Sequence, residues 1–204
     1  MRPVPFAPRH APGVRPEFRA EIERVIAGMP PGILRVLEEE EYALVTGRTM
    51  LEAEPLLRGR APRGYPPDAT WANLSGGFQG GGSKRIVLAE TYEDYDTGLT
   101  VFCPDVAEAL RHEIGHALDQ ALGGASMASD FRAAYLLGQK RVEEWNLRDR
   151  LEYFLNETVD AGAEETFAEL VAIISGGGAA GMDNLVRSTF HEALSVVNRI
   201  LEGM

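Results

Sequence analysis

The chain has 204 residues, 45% of them hydrophobic and 25% charged, the make-up of a globular protein with room for one substantial core. Its net charge of -11 and its two lysines exclude a nucleic-acid partner, because tracking phosphates takes clustered cations and the eighteen arginines are scattered among acidic neighbours. No apolar run is long enough to span a bilayer. Met1 to His10 is too rich in proline for a secretory signal, so cytoplasmic residence is the expectation unless a specialised export route or earlier processing applies. The single cysteine, Cys103, rules out an intramolecular disulfide and reads as a buried small hydrophobe in the run Leu99 to Cys103.

Met1 to Pro16 holds five prolines and reads as an extended arm, with His10 at the surface. From Pro16 to Met29 the spacing of Phe18, Ile22, Val25 and Ile26 predicts an amphipathic helix that Pro30-Pro31-Gly32 ends. Ile33 to Leu37 adds a short helical turn running into Glu38-Glu39-Glu40-Glu41. Those four like charges repel one another and have no neutral ligand nearby, so they read as a solvated helix end and not a cation site. Tyr42 to Thr46 is a strand turning at Gly47, and Arg58 to Asp68 is a long loop. Strand, flexible turn and strand describe Trp71–Leu74, Gly76–Gly82 and Lys84–Ala89, a hairpin whose edge an extended peptide can join. The glycines before Ser83-Lys84 are no phosphate loop, since the order Gly-Lys-Ser/Thr is absent and a strand follows. Thr91 to Thr97 is an acidic loop, and Leu99 to Phe102 a short strand.

The next element carries chemistry. Asp105 N-caps a helix, Glu108 completes a capping-box-like pair with it, and Gly123 supplies the stop. Val106, Leu110, Ile114 and Leu118 form the stripe that buries one side, while Ala109, His112, His116 and Asp119 lie along another side, toward a cleft. His112 and His116 stack four residues apart, so their ring nitrogens can converge on one metal ion. Glu113 then lies beside the open position of that ion, placed to take a proton from a zinc-activated water that attacks a polarised carbonyl.

Ser129 opens a helical stretch with Phe131, Ala134, Tyr135 and Leu137, and helical spacing continues from Val142 to Leu155 through Trp145, Leu147, Leu151 and Phe154, aromatics read as core. After a break over Asn156 to Gly162, the segment Ala163 to Ala172 forms a helix. Phe167, Leu170, Val171 and Ile174 bury one side of it, and Glu165 and Glu169 stack at i and i+4 on another. A zinc ion held by two histidines needs a third protein ligand, which a carboxylate here supplies. A second carboxylate one turn on can accept the other N–H of a ligand histidine. Ser175 to Gly181 is a glycine-rich loop, and Met182 to Leu201 is a closing helix with His191 on its surface.

At His112-Glu113-x-x-His116-Ala117-x-Asp119 and Glu165-Thr166-Phe167-Ala168-Glu169 the chain resembles the gluzincins related to the anthrax lethal factor catalytic domain and the bacterial Pro-Pro endopeptidases. The order of elements is similar from Tyr42 to Ile174. The forty-eight residues between His116 and Glu165 suit that group better than thermolysin-like enzymes. The resemblance implies that His112, His116 and Glu165 bind one zinc ion, that Glu113 is the general base and that Glu169 backs a ligand histidine. It departs at one position: where the relatives carry an oxyanion-stabilising tyrosine, seven residues before the ligand glutamate, this chain has Thr158. Tyr153 or Tyr135 takes that role, or zinc acts alone; losing such a donor costs about two to three orders of magnitude in rate. Cytosolic zinc proteases that cleave transcriptional repressors are also similar, with HExxH and a later Glu and Phe-Ala at shorter spacing.

The expected fold is α+β and zincin-like, a small, mostly antiparallel sheet packed on the HExxH helix and followed by a mainly helical C-terminal half. Residues 1–16 form an arm and 17–204 a single domain, its α/β part at about 17–123 and its helical part at about 124–204. The expected function is a zinc-dependent endopeptidase acting on an extended peptide or protein, with no nucleic-acid or membrane partner. The alternative is a zincin-like binding or toxin-associated module with weak or no activity. The acidic net charge bears on encounter rate, mildly against acidic substrates, and the oligomeric state is open.

Overall fold

The computed structural model describes residues 6–62, 68–155, 160–178 and 181–204. The N-terminal arm does more than extend: β1 (Arg9–His10) pairs with the first central strand, and Phe6 and Val14 are buried. His10 is therefore not a surface residue. Its side chain is 12% exposed, and its Nδ1 lies 2.7 Å from Thr46 Oγ1.

Pro16, compatible with a first helical turn, starts α1 (Pro16–Gly28), and Phe18, Ile22 and Val25 form its buried stripe. Pro31 starts α2 (Pro31–Glu39), which buries Ile33 and Leu37. The chain then forms β2 (Ala43–Gly47), the short α3 (Met50–Ala53) and 3₁₀ turns at Pro55–Leu57 and Trp71–Asn73. Next come β3 (Gly76–Gln79), β4 (Arg85–Ala89), and the hairpin of β5 (Thr91–Glu93) with β6 (Thr100–Phe102).

Three expectations shift here. Trp71–Asn73 is a 3₁₀ turn, and the glycines expected to be a flexible turn themselves form β3. The reason is crowding: a Cβ at Gly77 would lie 2.6 Å from the Trp71 ring, so only glycine lets the strand pass beneath the indole. Thr91 to Glu93, expected as loop, pairs with β6.

The main sheet has the order β1-β2-β4-β3 and is mixed. Antiparallel pairing is confined to β3 with β4, while β1 with β2 and β2 with β4 run parallel. Both parallel pairs follow from long connections, through α1 and α2 and through α3, that return the chain to the same end of the sheet. Along β4, Ile86 and Leu88 join the large core with α1, α2 and the HExxH helix, while Val87 and Ala89 join a smaller core with Met50, Leu57 and Leu74. A strand covered on both faces reads as a continuous apolar run, as Ile86 to Ala89 does.

The HExxH segment is α4 (Val106–Ala121), capped by Asp105, whose side chain accepts from the Glu108 N–H at 2.9 Å. Leu110, Ile114 and Leu118 are fully buried, as their stripe requires. The C-terminal half holds α5 (Ser129–Glu144), α6 (Arg148–Leu151), α7 (Ala161–Ile174), α8 (Asp183–Thr189) and α9 (His191–Glu202). Each of two expected continuous helices is in fact two. One breaks at Asn146, which adopts φ 53, and the other at Phe190, whose ring stacks on Tyr135 with centroids 5.8 Å apart. Trp145, expected in the core, is about half exposed. Among the described residues no helix is long and apolar enough to cross a membrane.

α7 packs across α4 with almost every side buried, and the crossing point is Gly115. A Cβ there would lie 2.5 Å from the Ala168 Cα and 2.6 Å from its carbonyl oxygen. In an open helix Gly→Ala would add about 1 kcal/mol of stability. Gly115→Ala should instead lose about 1–3 kcal/mol by overpacking, read from urea denaturation of the metal-free protein. A gain would show that the two helices separate without cost.

Candidate metal centre

α4 and α7 bring the predicted donors together. His112, His116 and Glu165 each offer an atom to one cluster, all within 4.8 Å of one another. His112 Nε2 lies 3.0 Å from Glu165 Oε2 and 3.1 Å from His116 Nε2, and His116 Nε2 lies 3.2 Å from the same carboxylate oxygen. Tetrahedral zinc with bonds of about 2.0–2.1 Å would hold its ligand atoms about 3.3–3.4 Å apart, so small adjustments seat an ion. The donors, two imidazole nitrogens and one carboxylate, fit zinc.

Glu169, 2% exposed, accepts from the other nitrogen of the first histidine, with His112 Nδ1 3.2 Å from its Oε2. That bond leaves Nε2 facing the cluster. The ring of Phe78, on β3, stacks on His116 with an interplanar angle of 10°. Asp119 lines a neighbouring cavity together with His116 but takes no part in the cluster: it accepts from the Ser126 N–H at 2.6 Å and hydroxyl at 2.7 Å, tying the end of α4 to the next turn.

Burial works against a charged His112, but hydrogen bonds to Glu165 and Glu169 outweigh it and raise its pKa to about 10. Burial also acts on Glu165, where the bonds from His112 and His116 prevail and hold its carboxyl well below the usual range. Glu113 is pushed up, first by burial and then by Glu165, against the pull of both histidines.

The Tyr153 hydroxyl donates to Glu165 Oε2, and its ring lies 6.3 Å from that of His112. Tyr135 stands apart: it is 4% exposed and donates to the Phe154 carbonyl at 2.7 Å. Thr158 lies outside the described residues. Cys103 is half-buried, with its thiol pushed up by burial, and is not among the described residues lining the cleft.

Two adjoining cavities, of about 370 and 480 Å³, form that cleft and share Leu74, Gly76, His112, Glu113 and Tyr153. Leu57, Arg60, Trp71 and Phe78 wall the first; Asn73, Tyr92 and Glu108 help to wall the second. None of these seven was read from the sequence as part of the site. Phe78 alone carried a signal, as the one large residue among the glycines.

An HExxH helix crossed by a glutamate-bearing helix and flanked by the edge of a small sheet defines a zincin-like α+β architecture. In keeping with it, the chain is similar to the solved structure of the Pro-Pro endopeptidase PPEP-2 from Paenibacillus alvei. The TM-score is 0.65 and the identity 17%, over 95% of this chain and 97% of that one. At that identity the likeness establishes the fold. No protein-family model and no curated protein matches the sequence.

The raised His112 pKa has a readable consequence. In the metal-free protein at pH 7 the ring is protonated, so zinc must displace a proton, and affinity should climb with pH toward about 10. Calorimetry in two buffers of different ionisation enthalpy should register proton release, and a pH-independent affinity would show that His112 is already neutral. By linkage, the same shift stabilises the metal-free fold fully below the ordinary value of 6.5, and that contribution is lost as pH rises to about 10.

Proposed function

We propose that this chain is a zinc-dependent endopeptidase that hydrolyses an extended peptide or protein segment laid along β3. The observation that supports it best is the meeting, in one cleft, of a three-donor cluster, the Glu113 carboxylate and the Tyr153 hydroxyl beside a sheet edge. The Glu165 ligand and the Phe167-Ala168-Glu169 step that follows favour a place among the gluzincins.

His112, His116 and Glu165 hold the ion, and Glu169 fixes the ring of His112 through its Nδ1–H. Bound zinc supplies Lewis-acid polarisation of the scissile carbonyl and a water of lowered pKa. Glu113, its carboxyl pushed upward by burial, accepts the proton of the attacking water and returns it to the leaving amine. Tyr153 turns its hydroxyl from Glu165 toward the developing oxyanion. Among the described residues strand β3 pairs with β4 on one side only, so its outer edge can pair with the substrate backbone and hold it extended across Glu113.

Glu113→Gln should keep stoichiometric zinc, measured by mass spectrometry, while cleavage of a peptide library falls by about 10²–10⁴-fold. Undiminished cleavage by that variant would falsify the mechanism. Tyr153→Phe should lower kcat by about 10²–10³-fold with little change in KM, because an oxyanion donor acts in the transition state. Equal kcat for the two proteins would leave the oxyanion to zinc alone.

A further inference from the structure

We propose that Arg60 binds a substrate carboxylate, so that cleavage favours peptides with glutamate or aspartate on one side of the scissile bond. The inference rests on the endopeptidase reading and adds a substrate class to it. Arg60 follows the 3₁₀ turn Pro55–Leu57, and its backbone N–H donates to the Leu57 carbonyl at 3.0 Å. Leu57 is 2% exposed and anchors that turn in the smaller core, so the base of the Arg60 side chain is fixed at the cavity wall.

The charges around it are committed elsewhere. Glu165 is engaged by His112, His116 and Tyr153, and Glu113 serves the reaction. Several arginines outside the cleft have carboxylate partners, as in Arg15 with Glu90, Arg85 with Glu54 and Arg141 with Glu192. The Arg60 guanidinium has no such partner among the described residues, although the chain carries a net charge of -11. A cation left unpaired in so acidic a chain, on the wall of a cleft, is matched by an anion that arrives with the substrate.

The asymmetry gives the inference its direction. Arg60 lines the cavity that also holds Leu57 and Trp71, and the adjoining cavity beyond Gly76 has neither lysine nor arginine among its described walls. A glutamate side chain suits the first cavity, since its methylenes can lie against Leu57 and Trp71 while its carboxylate meets the guanidinium. The overall negative charge does not oppose this, because at physiological salt it is screened beyond about 8 Å whereas the Arg60 contact is short-range.

The test uses the zinc-loaded full chain and an end-blocked peptide library, acetylated and amidated, in which each position carries Glu, Gln or Lys. The wild type should prefer Glu over Gln at a position on one side of the cleaved bond, by about tenfold to a hundredfold in kcat/KM, and mainly through KM. Arg60→Glu should turn that preference toward Lys at the same position and leave the other side unchanged. A second arm frees the C-terminus of the same peptides. Activity confined to free acids, and lost in Arg60→Glu, would mean that the recognised carboxylate is the chain terminus and not a side chain. No preference for a carboxylate in either arm, or one that survives Arg60→Glu, overturns the inference. If the wild type cleaves no peptide, the endopeptidase reading fails by itself. Fluorescence anisotropy of labelled Glu and Lys peptides on wild type and Arg60→Glu then still decides the carboxylate question.

Discussion

The three-donor cluster depends on two helices approaching to backbone contact. His112 and His116 come from α4 and Glu165 from α7, and their donor atoms are 3.0–3.2 Å apart. Ordinary helix pairs sit with axes about 8–10 Å apart, the spacing depending on the side chains at the contact. Gly115, between the two histidines, removes the side chain where Ala168 presses closest. On α7, Ala168 falls between Glu165 and Glu169, so one small-residue contact sets the separation for both carboxylates. The geometry of the donor cluster and the packing of the core are thus fixed by the same few atoms.

That closeness has an electrostatic cost. Three glutamates and two histidines share a region largely screened from water, where each buried ion costs several kcal/mol unless it is paired. The metal-free protein offsets part of this by holding His112 protonated between Glu165 and Glu169. Well-packed apolar residues would serve stability as well or better, so retaining such a cluster points to a role in binding a cation and not to core stability. Asp119 shows the contrast. It is a buried acid on the same helix, yet both its oxygens accept bonds from Ser126 and its work is local and structural.

What could be read from the sequence was what depends on neighbours a few residues away. The stripe of Leu110, Ile114 and Leu118, the cap at Asp105 and the i, i+4 pairs of His112 with His116 and Glu165 with Glu169 are all encoded within one helix each, and the structure places them as expected. Features set by distant contacts were hidden. The parallel pairing of β2 with β4 depends on how a long connection returns, and β3 looked like a flexible turn because a glycine run carries no side-chain periodicity, while the reason for Gly77, the Trp71 ring pressed against it, exists only once the chain has folded. The breaks at Asn146 and Phe190 interrupt apolar spacing that by itself continues smoothly, and at Phe190 a ring that fits against Tyr135 matters more than periodicity.

The tyrosine question shows how a local pattern and a spatial role can separate. The gluzincins that the sequence resembles carry their oxyanion donor where this chain has Thr158. Of the two substitutes considered, Tyr135 has its hydroxyl engaged by the Phe154 carbonyl inside the core, so it has no route to a substrate. Tyr153 stands one residue before Phe154, in a 3₁₀ turn, and the 82° angle between their rings turns one inward and the other to the cleft. Burial of Phe154 therefore aims Tyr153 at Glu165. A transition-state donor needs a hydroxyl within reach of the reacting carbonyl and a rigid support behind it, whichever residue number supplies it. In the proposed reaction, the turn that buries Phe154 gives Tyr153 that support beside Glu165.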